Sequence, residues 1–309
     1  MNSRNSLSIF SRMLPHLALL AANLLWAFDY PFYHILLPTH MPPMLLLSMA
    51  LVATSIFSFV PLLFSSRERI ERRDIPLFIV AAILIGLLHK GFIMNGLSRT
   101  SPIDGSIINT LGPLLVLSLS VVSGIERLTK LKVAGLVMGL VGALAVILWG
   151  NDASHAKSDI VGNLMILGGV ASTALYAVWL KGVLAKYRVA TVMMWVYTIA
   201  AILSLPFGIY SAIGWSPSGW DTRVVVVLIL VLLMLTYLPN FLFNFALQRV
   251  RPLETSIYNY LQPIMAITIS VVMGLDHLQR DTVLFALVIF VGIALVLLSY
   301  KREKRGSLG

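Results

Sequence analysis

Long apolar runs, broken at short intervals by polar, proline or glycine residues, dominate the pattern along this chain. A helix needs about 20 mostly apolar residues to cross a hydrocarbon core of about 30 Å. On that measure the runs predict spans near 14–37, 42–64, 74–97, 103–124, 130–149, 160–181, 189–212, 223–247, 254–275 and 280–300. The connections are short and carry turn-forming residues, such as Pro38 to Pro43 and Ser216-Pro217-Ser218-Gly219. They leave no room for a soluble domain. The first run lacks a small-x-small exit and reads as a retained helix, not a cleaved signal. Residues 1–13 are expected to be a cytoplasmic tail and 301–309 a basic cytoplasmic tail.

Charge orients the spans. With the N-terminus inside, eighteen Lys and Arg fall in inside segments, four (Arg99, Lys157, Arg223, Arg280) fall outside, and Lys90 falls within a span. Cytoplasmic loops carry such an excess. Adding or losing one span mid-chain would destroy the bias, so the expected topology is ten spans with both termini cytoplasmic. The composition agrees: 58% of residues are apolar and 12% charged, against about 25% charged in soluble domains. The net charge of +10 is spread over short loops, which argues against nucleic-acid binding. With no cysteine, thiol chemistry and disulfides are excluded. No phosphate-binding loop, zinc motif or nucleophile elbow is present, so neither ATP-driven transport nor an enzyme is expected, and no cofactor or metal.

A shift of 150 residues aligns two halves. Arg99 meets Arg249, Pro102 meets Pro252 and Asp104 meets Glu254. Ser106, Ile107 and Asn109 meet Ser256, Ile257 and Asn259, and Pro113 meets Pro263. Gly124, Glu126 and Gly142 meet Gly274, Asp276 and Gly292. Matches at Asn, Pro, Arg and acidic positions are far more specific than shared Leu or Val. The period holds five spans, an odd number, so the second half (151–300) enters the membrane opposite to the first (14–150). The fold class is therefore an all-α membrane protein of two inverted five-helix repeats. Inverted repeats recur in secondary transporters, with the substrate site near the midplane between the copies.

Several residues are candidates for that site. Charged groups inside a bilayer usually face a cavity or a partner. Asp29 in the first span and Lys90 in the third have matching depths. They either pair with each other or meet the ammonium and carboxylate of a zwitterion. His89 is a weaker candidate for proton relay, as is His34, and Asp29 is the other candidate for coupling to protons. An amide belt follows: Asn109, its mate Asn259, Asn240 and Asn244 one turn apart, and Gln262 with Tyr258 one turn apart. Trp26, its mate Tyr176, and Trp179 offer aromatic surface. Trp149, Trp215 and Trp220 sit at span ends and fit interfacial anchoring. Pro113 and Pro263 remove a backbone donor mid-helix and are expected to kink it. The Gly135, Gly139 and Gly142 face reads as close helix packing.

The residues Leu25-Trp26-Ala27-Phe28, Gly96-Leu97, Pro102, Ser106, Leu111 and Pro113, Gly124-Ile125-Glu126-Arg127-Leu128, and their duplicates from Ala246-Leu247 to Leu278, resemble the drug/metabolite transporter superfamily, in particular its ten-helix EamA-type branch. Asp276 stands where that family usually has Glu. The resemblance implies export or exchange of amino acids, related metabolites or drugs, through a cavity lined by spans one to four and six to nine. The expected partners are a small-molecule substrate, the lipid bilayer and, as a candidate coupling ion, the proton. Monomer and homodimer both remain open. A bacterial inner membrane is the expected location. A passive channel and a non-transporting receptor are the rival readings.

Overall fold

The computed structural model describes residues 2–63, 68–149, 159–180, 182, 185–247, 249, 258 and 261–306, with the side chains of 2–12, 62–63, 147, 149, 247 and 303–306 excepted. Among these residues every regular element is a helix. In chain order they are α1 (Asn2–Ala27), α2 (Asp29–Leu36), α3 (Pro43–Ser58), α4 (Arg72–Leu97), α5 (Pro102–Val122), α6 (Lys130–Trp149), α7 (Ile160–Leu180), α8 (Val189–Ala212), α9 (Thr222–Ala246), α10 (Leu261–Val272) and α11 (Arg280–Gly306). The helices α4, α5, α7, α8, α9 and α11 are long and apolar enough to cross a membrane, and α3 and α10 are shorter apolar helices. Helix α1 runs back to Asn2 and α11 on to Gly306, so the segments expected as tails continue the helices.

Local chemistry sets the helix ends. Ser101, Asp159 and Asp221 accept backbone N–H groups of the first turns of α5, α7 and α9, at 3.1, 3.0 and 2.8 Å. Such caps satisfy donors that a helix start leaves orphaned. Helices α5 and α10 stop identically. Gly124 and Gly274 adopt φ of 70° and 65°, which a side chain would resist. The next residue in each case, Ile125 or Leu275, donates back to Ser120 or Ser270 at 2.8 and 2.9 Å. These positions are 150 residues apart, so the duplicated sequence produces duplicated backbone.

Antiparallel pairs build the bundle. Between α6 and α11, a Cβ added to Gly135 would lie 2.4 Å from the Gly292 carbonyl, and one added to Gly142 would lie 3.0 Å from the Phe285 carbonyl. Moving up one helix moves down the other, so the two run in opposite directions. Between α3 and α8, Ser48 donates to the Ser204 carbonyl and Ser55 bonds Thr198, both at 2.8 Å. Between α4 and α7, Gly96 faces Gly162 and the His89 carbonyl faces Gly169. Small residues allow this approach, since apolar helices in lipid associate through packing and interhelical hydrogen bonds. The expected role of Gly135 and Gly142 as packing residues is therefore seen directly, with Gly139 seated on Leu114.

Helix ends bearing Arg69, Arg72, Arg73, Arg127, Lys130, Lys186, Arg188 and Lys301 form one end of the bundle, called here the basic end. There Lys132 is fully buried, pairs with Glu126 at 2.9 Å and lies 4.3 Å from the centre of the Tyr300 ring. The opposite end is called the far end.

Candidate functional site

Helices α1, α4, α5, α7 and α9 are interrupted part-way along. The first break is at Phe28, between α1 and α2. Pro31 has no N–H to give the Ala27 carbonyl, and the Phe28 N–H turns instead to Leu25 at 3.1 Å, a tighter turn. In α5 the break is at Thr110-Leu111, where Pro113 deprives the Asn109 carbonyl of its donor. Helix α4 widens into i→i+5 turns over Ala82–His89, α7 over Tyr176–Leu180 and α9 over Val231–Leu235. Such widened turns often mark functional sites. They expose backbone and re-aim side chains midway along a helix. The break at Phe28 and the widened turn at 176–180 are repeat mates, and so are the widened turns of α4 and α9.

Side chains with functional chemistry flank these interruptions. Asp29 is the first residue of α2, and Lys90 directly follows the widened turns of α4. Lys90 is buried and lies within Coulombic range of Asp29. Among the described residues no ion pair joins them within 4.0 Å. Asp29 Oδ1 is buried and has no hydrogen-bond partner among the described residues. One turn along α2, the Tyr33 hydroxyl is in the same condition, in a side chain only 2% exposed. Tyr30 and Tyr33 lie within Coulombic range of the carboxylate, Tyr197 of α8 lies within range of Tyr33, and Tyr176 of α7 within range of Tyr197. A buried polar group left unpaired costs about 1–3 kcal/mol, so this arrangement is costly with nothing bound.

The described members of the amide belt bond to protein groups. Asn109 Nδ2 donates to Gln262 Oε1 at 3.0 Å, Gln262 Nε2 donates to Asn23 Oδ1 at 2.7 Å, and Asn23 Nδ2 donates to the Leu19 carbonyl at 2.8 Å. Asn240 and Asn244 each donate to the carbonyl four residues back, Thr236 at 2.7 Å and Asn240 at 2.8 Å. Asn244 also reaches Met193 Sδ at 3.6 Å, and Asn95 makes the corresponding contact to Met44 Sδ at 3.8 Å. His89 Nδ1 bonds the Gly169 carbonyl at 3.0 Å.

Other expected site residues scatter. Trp26 packs against Phe243, ring centres 5.0 Å apart. Tyr258 bonds His16 at 3.0 Å towards the basic end. Trp179 is 55% exposed and donates to Ser123 at 3.0 Å, away from the Asp29 cluster. Asn259, Tyr260, Lys181 and the side chain of Trp149 lie outside the described residues. Pro263 is buried at the start of α10. The structure thus brings Asp29 and Lys90 together, and joins Asn109 to Gln262, with Tyr30 between Asn109 and Asp29. Asn23, Tyr30, Tyr33 and Tyr197 went unread in the sequence. For Tyr33 the signal was its i+4 spacing from Asp29; for Asn23, an amide inside an apolar run.

Ties between the halves occur at both ends. At the basic end the buried Asp74 carboxylate accepts the Tyr187 hydroxyl and pairs with Lys186, and Tyr187 in turn accepts the Glu71 N–H at 3.2 Å. The Asp74 carboxylate holds the Lys186 ammonium above its ordinary pKa. At the far end the indole N–H groups of Trp215 and Trp220 both donate to the His40 carbonyl at 3.2 Å. These tryptophans were read as interfacial anchors; here they also join two connections.

The EamA-like transporter family model matches residues 13–148 and again 160–298, most of the chain. The chain belongs to the EamA-like transporter family. EamA members are transporters and not enzymes, and they belong to the drug/metabolite transporter superfamily. Among EamA relatives, the chain is 22% identical to the uncharacterized transporter YoaV of Bacillus subtilis, over 93% of this chain and 98% of the relative. It is 24% identical to WAT1-related protein At3g28100 of Arabidopsis thaliana, over 80% of this chain and 79% of the relative. It is 25% identical to an uncharacterized transporter of Archaeoglobus fulgidus over 50% of this chain, spanning about half (53%) of that relative's length. A solved crystal structure matches 93% of this chain and 97% of its own with a TM-score of 0.64 at 19% identity, and so shares the fold. This EamA-family chain is a multi-pass integral membrane protein.

Proposed function

We propose that the protein is a secondary carrier that exports or exchanges a small amphiphilic metabolite, such as an amino acid, by alternating access. The carrying observation is the pair of buried, oppositely charged groups, Asp29 and Lys90, that sit within Coulombic range beside helix breaks yet form no ion pair with each other among the described residues. A zwitterion placed between them meets both charges and the unpaired oxygen. Charged groups in a bilayer are rare and face cavities, partners or ion pathways. Asp29 is also the group on which a coupled proton would ride, with His89 second.

The reading takes the chain as ten crossings in two inverted halves, 14–150 and 151–300, with the basic end in the cytoplasm. Three observations support it: the twofold family match, the antiparallel α6–α11 and α3–α8 pairs, and the recurrence of widened turns and glycine stops at the repeat spacing. Helices of opposite sense in equivalent positions let one sequence plan serve both membrane faces. A bacterial inner membrane is the proposed location.

A stabilisation screen against amino acids, purines and small cationic drugs identifies ligands, because a compound that binds the folded state raises its apparent stability. Saturable, counterflow-stimulated uptake of a hit into liposomes marks a carrier. Unsaturable flux marks a channel, and binding without flux marks a receptor. Full transport in both Asp29→Asn and Lys90→Gln would remove this pair from the mechanism.

A further inference from the structure

The three bonds from Asn109 through Gln262 to Asn23 and the Leu19 carbonyl form a single relay, and its placement has a meaning beyond holding helices together. Gln262 belongs to α10, in the second half, and is 4% exposed. Asn23 belongs to α1 and is fully buried, less than two turns before the break at Phe28. Asn109 closes the first part of α5, directly before that helix breaks, and its amide lies beside the phenol of Tyr30, which follows the break. Tyr30 also rests on α5 at Gly105, where a Cβ would lie 3.5 Å from its ring. The relay therefore touches the first helix on both sides of its interruption. Asp29 is the residue between those grips.

Two of the three repeat-related positions carry other residues. The mate of Asn23 is Thr173, which among the described residues bonds back along its own helix to Gly169 at 3.4 Å. The mate of Gln262 is Gly112, which has no side chain. With no amide at position 112 or 173, the duplicated sequence does not repeat the Asn-Gln-Asn chain. Buried polar chains of this kind are worth making only when every member is satisfied, and then they fix one geometry.

We propose that Gln262 is a positioning residue: its amide, bonded to Asn23 and Asn109 at once, braces the break at Phe28 and so sets the place of Asp29 from the opposite half of the molecule. The proposal rests on reading Asp29 as a substrate-facing group. A shift of α10 then reaches the carboxylate through two hydrogen bonds, which links movement of one half to the affinity of the other.

The chain has no cysteine, so one introduced thiol reports alone. Two reporters, Leu36→Cys on α2 and Val146→Cys on α6, replace fully buried side chains. Purified protein is labelled with N-ethylmaleimide, with and without Gln262→Leu. The expected result is a rise of roughly ten-fold or more in the labelling rate at position 36, from two lost bonds of about 1 kcal/mol each, with position 146 unchanged. If Gln262→Leu fails to fold, Gln262→Asn, too short to reach both partners, takes its place. Unchanged labelling at position 36 overturns the proposal. So does an equal rise at both positions, which marks general loosening. Labelling needs no substrate, so its outcome stands apart from that of the transport assays on Asp29→Asn.

Discussion

The break at Phe28 and the widened turn at Tyr176–Leu180 occupy equivalent places in the two halves, yet their surroundings differ sharply. Past the first, Tyr30, Tyr33 and Leu36 are all buried, and the facing stretch 102–108 of α5 is buried throughout. Within the second, Trp179 is 55% exposed between buried Tyr176 and Leu180, and residues 240–245 of α9 are only partly buried where 90–97 of α4 are mostly buried. Among the described residues, α4 is thus packed more closely beyond its widened turn than α9 is beyond its own. Equivalent positions in a duplicated sequence do not dictate identical packing. Side chains at a few unmatched positions, Asn23 against Thr173 and Gln262 against Gly112, decide which copy is held.

The largest expected effect comes from stripping charge from the braced side alone. Asp29→Asn or Lys90→Gln should lower counterflow of a screened ligand roughly ten- to a hundred-fold, the worth of a hydrogen bond to a charged group, whereas Trp179→Phe on the unbraced side should change it little. Next is the far-end closure. A Cβ on Gly96 would lie 2.5 Å from Ile166 and 2.8 Å from the Gly162 carbonyl. Gly96→Val should therefore cost about 1–3 kcal/mol of stability and make a thiol at position 103 reactive; thermal melting and maleimide labelling measure both. Removing the basic-end tie should be milder. Tyr187→Phe leaves Asp74 with Lys186 but strips one bond from each neighbour, about 1 kcal/mol on melting, and should further expose a thiol at Ala174. The smallest effect belongs to Ser55→Ala, which removes the bond to Thr198 between the paired α3 and α8 and should cost about 0.6 kcal/mol.

Much of this was legible before any coordinates. Apolar run length placed the helices, because lipid requires the backbone to satisfy itself. The 150-residue spacing of Gly124 with Gly274 carried through to backbone geometry. Asp29 and Lys90 were legible because ionisable groups in apolar runs stand out. What pattern could not show was partner choice. Asn109 and Gln262 read as groups for a polar substrate or a neighbouring helix, and the sequence could not say that Asn109 donates to Gln262 and Gln262 to Asn23, since hydrogen bonding between distant spans depends on how helices are rotated. Asn240 and Asn244 likewise bond their own helix. The break at Phe28 was missed because Pro31 sits near the end of its run, where a proline reads as a terminus.

The glycine seam between α6 and α11 has a consequence for anyone who would watch this protein move. Backbone lies almost directly on backbone there, with Gly135 and Gly292 leaving no side chain to re-rotamerise and absorb a slide. The pair is accordingly expected to move least, as the chassis of the molecule. A fluorescent or affinity tag appended beyond Gly306 rides on that chassis, so it will count molecules faithfully and stay silent about their conformation. Dyes meant to see the working stroke belong on the other helices.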